Sequence, residues 1–433
     1  MIAAFLAAPL LVAQAAMQAG PDTLRLTLRQ AMEAAQASGY AAQAARSRSA
    51  EAQSRVNESR AALLPHFGAT ASDVVRSFDL PAMGLSFPAG SGAPAFPNLI
   101  EPFNAQDARV NGRLSLIDAA NWKRYAAARG EAEGGGYEAQ AAAEGAQLGA
   151  AEAYLALERA RALVASRRAE ASLAVQLAEL SRAQQQAGAA TRLETLRAEG
   201  QVSNANSGVA AAEGEEERAR YVLLRAVGAS LDAMPVLGDT LGLPEPPAAS
   251  AAAGTLPEVA AADARERAAR DQLSALRAEA LPTVDLSGDY GLSGRRLNER
   301  AEWTEDLALT LNWSIWDGGS RRARLAAQSE KAKQAALASR DTRQAAEEGL
   351  RAASSAMRSL RAEAGFARER AALAEEEERL AREKFKSGAA GNLEVISAQA
   401  SVSLAHQAYI DAAYGYNRAR LEYLRAAHRL GDL

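Results

Sequence analysis

The sequence contains no cysteine among its 433 residues. This absence excludes a disulfide framework, a thiolate metal site and a lipid attached to an N-terminal cysteine. The three histidines, His66, His406 and His428, lack the spacing of metal ligands. We therefore expect no metal site.

Catalytic motifs are also missing. The sequence has no glycine-rich phosphate loop with a lysine and no nucleophile elbow. Many Glu–Arg and Glu–Lys neighbours occur, but such pairs on helices are usually solvated and contribute only a few tenths of a kcal/mol. We expect a protein that is not an enzyme and that binds no cofactor.

Aromatic residues are scarce, at 5% of the chain, and the formal net charge is −4. Alanine, glutamate, arginine and glutamine dominate instead, which is typical of long helices that pack through small side chains. Because basic residues are not in excess, nucleic acid is not an expected partner.

Long apolar runs are missing beyond the N-terminus, so no later stretch has the roughly 20 apolar residues of a membrane-crossing helix. The N-terminus itself is apolar, and Ala13-Gln14-Ala15 offers small residues for cleavage. This pattern favours a secretory signal peptide over residues 1–15. The alternative is a short, poorly ordered tail.

Proline is absent from two long intervals, Asp118 to Gly188 and Asp317 to Gly388. Each interval spans about 70 residues, enough for a helix of roughly 100 Å. Aspartate is a good N-cap, and a glycine permits a tight turn at the other end. The spacing predicts two very long helices, each followed by a sharp turn and a returning helix.

The sequence contains a repeat at an offset of 200 positions, because the residues around Gly188 match those around Gly388. Such self-similarity indicates an internal duplication. Prolines cluster between the two copies, as expected of a joint. We predict a first repeat over 16–228, a linker over 229–257 and a second repeat over 258–433.

Short alternating segments precede each long helix and predict strands of about ten residues. In the clearest one, the apolar positions are Leu307, Leu309, Leu311, Trp313 and Ile315. Val284, Leu286, Tyr290 and Leu292 belong to its partner, and Val110, Leu114 and Leu116 belong to the first repeat. A fourth strand after Pro65 follows from its place in the repeat. A helical pattern over Leu24–Leu63 precedes it, and a long loop over 77–105 follows it.

Four amphipathic strands cannot close a sheet, and open edges are a liability. Three chains would supply twelve strands, and a closed barrel is the β architecture that can span lipid. The predicted fold is therefore mainly α with a membrane β-barrel: an internally duplicated chain with long α-helical hairpins and four β-strands, three copies of which complete a twelve-stranded barrel.

Several sequence motifs at the start of the second repeat and within it resemble those of the TolC-like outer-membrane efflux proteins. They are Phe385-x-x-Gly388, Leu393-Glu394-Val395-Ile396-x-Ala398-Gln399, Tyr409-x-x-Ala412-x-Tyr414-x-Tyr416 and Leu256-Pro257-Glu258-Val259. The resemblance implies a homotrimer with a twelve-stranded barrel in outer-membrane lipid and a helical tunnel extending into the periplasm. It also implies a periplasmic adaptor and an inner-membrane pump or ABC transporter as partners.

The function that the resemblance implies is a passive exit duct of a tripartite efflux pump or a type I secretion system. Drugs, metal ions and polypeptides all remain possible cargoes. The alternative is a periplasmic coiled-coil adaptor (a membrane fusion protein), which would normally carry one hairpin. A cytoplasmic scaffold is a further alternative, which the leader and the strands oppose.

Three groups of residues follow as candidate sites. Gly188, Gly388, Ala189 and Ala389 are the predicted periplasmic tip, where small residues would let an adaptor approach the backbone closely. Glu194 and Glu394 each lie six residues after the turn glycine and would form acidic rings around the pore in a trimer. Equally, both are acids at a helix start that interact with the helix dipole. The apolar positions from Leu307 to Ile315 are predicted to face lipid.

Overall fold

The structure is a computed structural model that describes residues 23–84, 97–188, 190–239, 242–247, 255–297, 301–387, 389 and 391–432. The predicted signal peptide over residues 1–15 lies outside the described residues. The helices are α1 (Leu28–Ser38), α2 (Tyr40–Ala61), α3 (Ala119–Gln186), α4 (Arg192–Val227), α5 (Pro257–Ala278), α6 (Ser320–Lys386) and α7 (Asn392–Ala426). The strands are β1 (Thr23–Leu26), β2 (His66–Asp79), β3 (Leu99–Ile117), β4 (Met234–Leu237), β5 (Thr283–Gly294) and β6 (Ala301–Asn312).

The chain divides into two compact units. One comprises Met1–Ser49, Gly135–Ala262 and Ser339–Leu433, and the other comprises Ala50–Gly134 and Asp263–Ala338. The first unit holds the ends of the long helices and the short strands β1 and β4. The second holds β2, β3, β5 and β6. Among the described residues, none of the helices combines the length with the apolar character needed to cross a membrane.

The two long helices are confirmed, since α3 has 68 residues and α6 has 67. Asp118 caps α3 as predicted, because its Oδ1 accepts a hydrogen bond from the Asn121 N–H at 2.8 Å. Asp317 is not the residue directly before α6. Gly318 and Gly319 follow it with φ of 69° and 87°, and the helix begins at Ser320. These left-handed values favour glycine and add a turn before the helix.

The helix predicted over Leu24–Leu63 is wrong at its start and interrupted in its middle. Residues Thr23–Leu26 form β1, and Thr27 then begins α1 with a capping box to Gln30. The helix stops at Gly39, where a Cβ would lie 2.4 Å from the Ala35 carbonyl oxygen. The predicted linker also contains regular structure, because β4 pairs in parallel with β1.

Tyr154 of α3 anchors this small sheet. Its side chain is fully buried, and its hydroxyl lies 3.2 Å from the Leu26 carbonyl oxygen and 3.1 Å from Asp239 Oδ2. The same carboxylate accepts the Leu28 N–H at 2.7 Å, and the Asp239 N–H donates to the Tyr154 hydroxyl at 3.1 Å. Burial raises the pKa of Tyr154 to about 12. Burial, and then the charge of Asp239, raises the pKa of the neighbouring Glu158 to about 7.

The core of the first unit is built from alanine with a few larger side chains, as the composition predicted. Several separate clusters line the helix contacts instead of one bulky centre. The cluster nearest the two turns draws on four helices, and its buried members are Leu177, Ala178, Ala198, Ala381, Phe385, Val395 and Ala398. Both helical hairpins therefore pack together close to their turns.

The second unit contains a four-stranded sheet in the order β2-β3-β5-β6, antiparallel throughout. Its first two strands are longer than predicted, with 14 and 19 residues. Part of the predicted 77–105 loop is strand, because pairing continues out to Asp79 and Leu99. Backbone N–H and C=O groups that pair across two strands have their hydrogen bonds satisfied whatever side chains they carry. The polar residues and the proline in this segment therefore did not end the strands. Trp313 and Ile315 follow the last residue of β6 and are not part of it.

Candidate functional site: an amphipathic sheet and two helix turns

The four-stranded sheet has one apolar and one polar face. Because side chains alternate along each strand, the register places residues in line across all four strands. The apolar face contains Phe67, Ala69, Val110, Leu114, Val284, Leu286, Tyr290, Leu292, Trp303, Leu307, Leu309 and Leu311, and the register places the carboxylates Asp73 and Glu305 on the same face toward its loop end. The polar face contains Arg109, Asn111, Arg113, Asp285, Ser287, Asp289, Asp306, Thr310 and Asn312.

The apolar face is open to the surroundings of a single chain. Leu307 is 81% exposed, Leu309 67% and Leu311 64%. Tyr290 and Trp303 stack at its loop end, with ring centroids 4.8 Å apart. Trp313 lies at the helix end, where its indole N–H donates to the Ala280 carbonyl oxygen at 3.1 Å. Such a large apolar surface indicates contact with a partner or with lipid.

The polar face carries a charge network that sequence reasoning missed. Arg109 Nη1 lies 2.6 Å from Asp289 Oδ1 on the next strand, and its Nε lies 2.6 Å from Asp107 Oδ1 on its own strand. The two aspartates hold the guanidinium over the middle of the sheet. Asp107 and Arg109 are two positions apart on one strand and therefore share a face. This spacing is the sequence signal that could have predicted their contact. The contact between Arg109 and Asp289 could be found only from the register between β3 and β5.

Both edges of the sheet are free among the described residues, since β2 and β6 each pair on one side alone. Free edges expose rows of backbone donors and acceptors that can pair with another strand. The sheet is thus incomplete in one chain, as the sequence predicted.

The first helix turn contains Gly188, whose φ of 74° lies in the left-handed region and whose surroundings are open. Ala189, the other predicted tip residue here, lies outside the described residues. Thr191 and Glu194 form a reciprocal capping box at the start of α4, with Glu194 Oε2 accepting the Thr191 N–H at 2.7 Å. These hydrogen bonds from Thr191 lower the pKa of Glu194. The Thr-x-x-Glu spacing was the available sequence signal.

The second turn differs from the first. Gly388 lies outside the described residues, while the Ala389 N–H bonds to the Lys384 carbonyl oxygen at 2.9 Å. Gly391 is the N-cap of α7 and supplies no side-chain hydrogen bond. Glu394 instead lies 3.2 Å from Lys384 Nζ across the turn. Equivalent positions in the two repeats therefore hold glutamates with different contacts.

Comparison with known proteins agrees with this architecture. Residues 248–427 match the model of a family described as outer membrane efflux protein. The chain is also 28% identical over 173 residues to the outer membrane protein OprJ of Pseudomonas aeruginosa. That match covers 39% of this chain and 36% of OprJ, so the aligned part spans about a third of that relative.

Solved structures resemble the protein over nearly its whole length. A membrane protein from Pseudomonas aeruginosa gives a TM-score of 0.79 at 22% identity, covering 92% of this chain and 93% of that one. The Campylobacter jejuni CmeC outer membrane channel gives 0.78 at 15% identity, covering 93% and 86%. The open state of the Neisseria gonorrhoeae MtrE outer membrane channel gives 0.77 at 18%, covering 93% and 89%. The TolC-like fold predicted from the sequence is confirmed.

Proposed function

We propose that the protein is a passive exit duct of the outer membrane and serves an efflux pump. The observation that carries this proposal is the four-stranded sheet, apolar on one face and polar on the other, with two free edges. Three copies would join edge to edge into a twelve-stranded barrel, with lipid outside and water inside. The family match and the relatives named as outer membrane channels support the location and the transport role.

The apolar face has dimensions that fit a bilayer. Trp303 and Trp313 lie at its two ends, ten residues apart. At about 3.3 Å per residue and a strand tilt of 35–45°, this separation spans roughly 25 Å along the membrane normal, as in outer-membrane barrels. Leu307, Leu309 and Leu311 would face the hydrocarbon between two aromatic levels, with Ile315 beyond the second. We therefore propose these positions for the residues that the sequence predicted to face lipid.

Trimer formation is the first expected result. Protein extracted in mild detergent should have the mass of three chains, because three four-stranded sheets supply the twelve strands of the proposed barrel and pair all of their free edges. Native mass spectrometry or light scattering measures this directly. A stable monomer whose β2 and β6 amides are protected from exchange would reject the barrel and, with it, the duct.

A periplasmic adaptor and an inner-membrane pump or transporter complete the proposed assembly. The described residues contain no group of side chains that could hold a metal ion, and the sequence has no nucleotide-binding loop, so the energy for transport is assigned to a partner. The likeness to channels over most of their length favours this role over that of an adaptor. The division into repeats over 16–228 and 258–433 is part of the proposal and is supported by the matching order of elements.

Adaptor docking at the helix turns is the second prediction. Gly188 offers open space and a conformation that bulky residues rarely adopt, so Gly188→Trp should block close approach of an adaptor helix. A photo-crosslinker placed at Ala190 in cells should then lose its adaptor adduct while trimer yield stays unchanged. Gly188→Asn, which tolerates the left-handed region, should retain much of the adduct. Gly200→Trp, at an exposed glycine of α4, is the matched control. An undiminished adduct in Gly188→Trp would contradict docking at this turn.

The acidic constriction is the third prediction, and the contacts distinguish its two members. Glu194 is held by its own capping box, whereas Glu394 is held by Lys384 across the turn. Glu394→Gln should therefore reduce cation preference and weaken block by multivalent cations more than Glu194→Gln does, as planar-bilayer recordings would measure. Because the pKa of Glu194 is lowered in the folded state, its ionised cap contributes to folding stability above the unfolded pKa. That stability is lost as the pH falls through the lower, folded-state pKa. Equal, unchanged selectivity in both variants would leave these residues as helix-start acids.

A further inference from the structure

A cavity of about 190 Å³ lies within the first unit, between α3, α6 and α7. It is somewhat larger than the engineered cavity of roughly 150 Å³ that holds benzene in another protein. Its size therefore suits a ligand with one ring or a short chain. Apolar side chains form one wall, including Leu173 of α3 and Val402 of α7.

Gln399 of α7 lines the cavity and is 6% exposed. Neither its carbonyl oxygen nor its NH2 group hydrogen-bonds to any residue that the structure describes. Other polar groups in the same wall are satisfied: Ser403 Oγ donates to Glu170 Oε2 at 2.8 Å, and Arg167 donates to Ser403 Oγ at 2.7 Å. The Gln399 amide faces the cavity without a protein partner, so a ligand group that hydrogen-bonds to it there is favoured over an apolar one.

Charged side chains surround the cavity. Three carboxylates line it, those of Glu170, Glu375 and Glu378. Two arginines offset them, because Arg167 pairs with Glu170 and Arg382 pairs with Glu378. Glu375 is paired with His406, whose Nε2 lies 2.5 Å from Glu375 Oε1. Glu378 Oε1 is buried and has no hydrogen-bond partner among the described residues. A donor group that carries a positive charge is therefore favoured on the α6 side of the cavity.

We propose that this cavity binds a small amine with an apolar body. The ammonium group would lie toward Glu375 and Glu378, and the body would lie against Leu173 and Val402. The Gln399 amide would accept one of the ammonium hydrogens. This is a site in the wall of the helical unit, distinct from the turns and from the sheet.

Binding would also affect the helices around the site. α3 belongs to the first long hairpin, whereas α6 and α7 form the second. A ligand that contacts all three favours the arrangement in which the two hairpins are packed together, in proportion to its differential affinity. A bound amine would therefore stabilise the contact between the two hairpins.

Titration of the full-length, detergent-solubilised protein tests the proposal with benzylamine as the probe. Benzylamine is charged at neutral pH, and benzyl alcohol has nearly the same shape without the charge. Isothermal titration or ligand-observed NMR should show saturable binding of benzylamine, and at least tenfold weaker binding of the alcohol. Gln399→Leu and Glu378→Gln should each weaken benzylamine binding about tenfold or more. Gln344→Leu, at an exposed position of α6, should leave it unchanged.

Three outcomes would overturn the site. The first is absence of saturable benzylamine binding, which would leave the cavity to water or to a neighbouring subunit. The second is equal affinity for the amine and the alcohol. The third is wild-type affinity in both cavity variants, a readout that keeps Glu378→Gln informative where Gln399→Leu fails to fold. None of these outcomes depends on whether the protein is an exit duct, which the mass of the assembly tests separately.

Discussion

Leu309→Arg should lower the stability of the bilayer-embedded protein by about 2–4 kcal/mol, which is the cost of an arginine near the midplane of a lipid-facing strand. Leu309 lies near the midpoint between Trp303 and Trp313, is 67% exposed in the single chain, and has Leu286 as its neighbour across the strand pair. An arginine there would place its charge in hydrocarbon, between the levels of Trp303 and Trp313.

Thr310→Arg is the matched control. It carries the same substitution one position along the same strand, and the strand alternation turns it to the polar face, opposite Asp285. We expect it to change stability little, because the guanidinium would meet water and a carboxylate. Urea titration of protein folded into lipid vesicles measures both variants. Equal losses at the two positions would reject the assignment of the apolar face to lipid.

Tyr154→Ala should destabilise the first unit by about 3–5 kcal/mol, the range for removing a buried aromatic side chain. The ring is fully buried among Leu157, Leu223 and Val227, and the hydroxyl contacts both β1 and Asp239. Tyr154→Phe keeps the ring and should cost about 1–2 kcal/mol, because the Asp239 N–H then loses its buried acceptor.

Tyr221→Ala is the control for this series. Tyr221 lies on α4, is 38% exposed and bonds to Glu217 at the surface. Exposed substitutions of this kind usually change stability by about 0.5 kcal/mol or less. Urea midpoints followed by far-ultraviolet circular dichroism compare the three variants in the trimer. A Tyr154→Ala protein with the parent midpoint would show that β1 and β4 are held by other contacts.

The charge network on the sheet shows how much of the site depended on pairing. The alternation of Leu307, Leu309 and Leu311 with Ala308 and Thr310 was visible in the sequence, because neighbouring side chains on a strand point to opposite faces. The contact of Arg109 with Asp289 was not visible. Those residues are 180 positions apart, and only the register between β3 and β5 brings them together.

Local sequence features determined the long helices, the sharp turn at Gly188 and the amphipathic strands. The duplication was visible directly as repeated sequence. Prolines, glycines and side-chain periodicity act on the backbone within a few residues, so their effects can be read directly. Tertiary structure decided the rest. Thr23–Leu26 became a strand because Met234–Leu237 was available to pair with it. Glu194 and Glu394 acquired different contacts because Thr191 caps one helix and Gly391 the other. The unpaired amide of Gln399 became significant only because α3 and α6 pack beside its own helix, α7, and form a cavity there. Hydrogen bonds, charges and cavities of this kind depend on which distant segments meet, and residue order alone does not specify that.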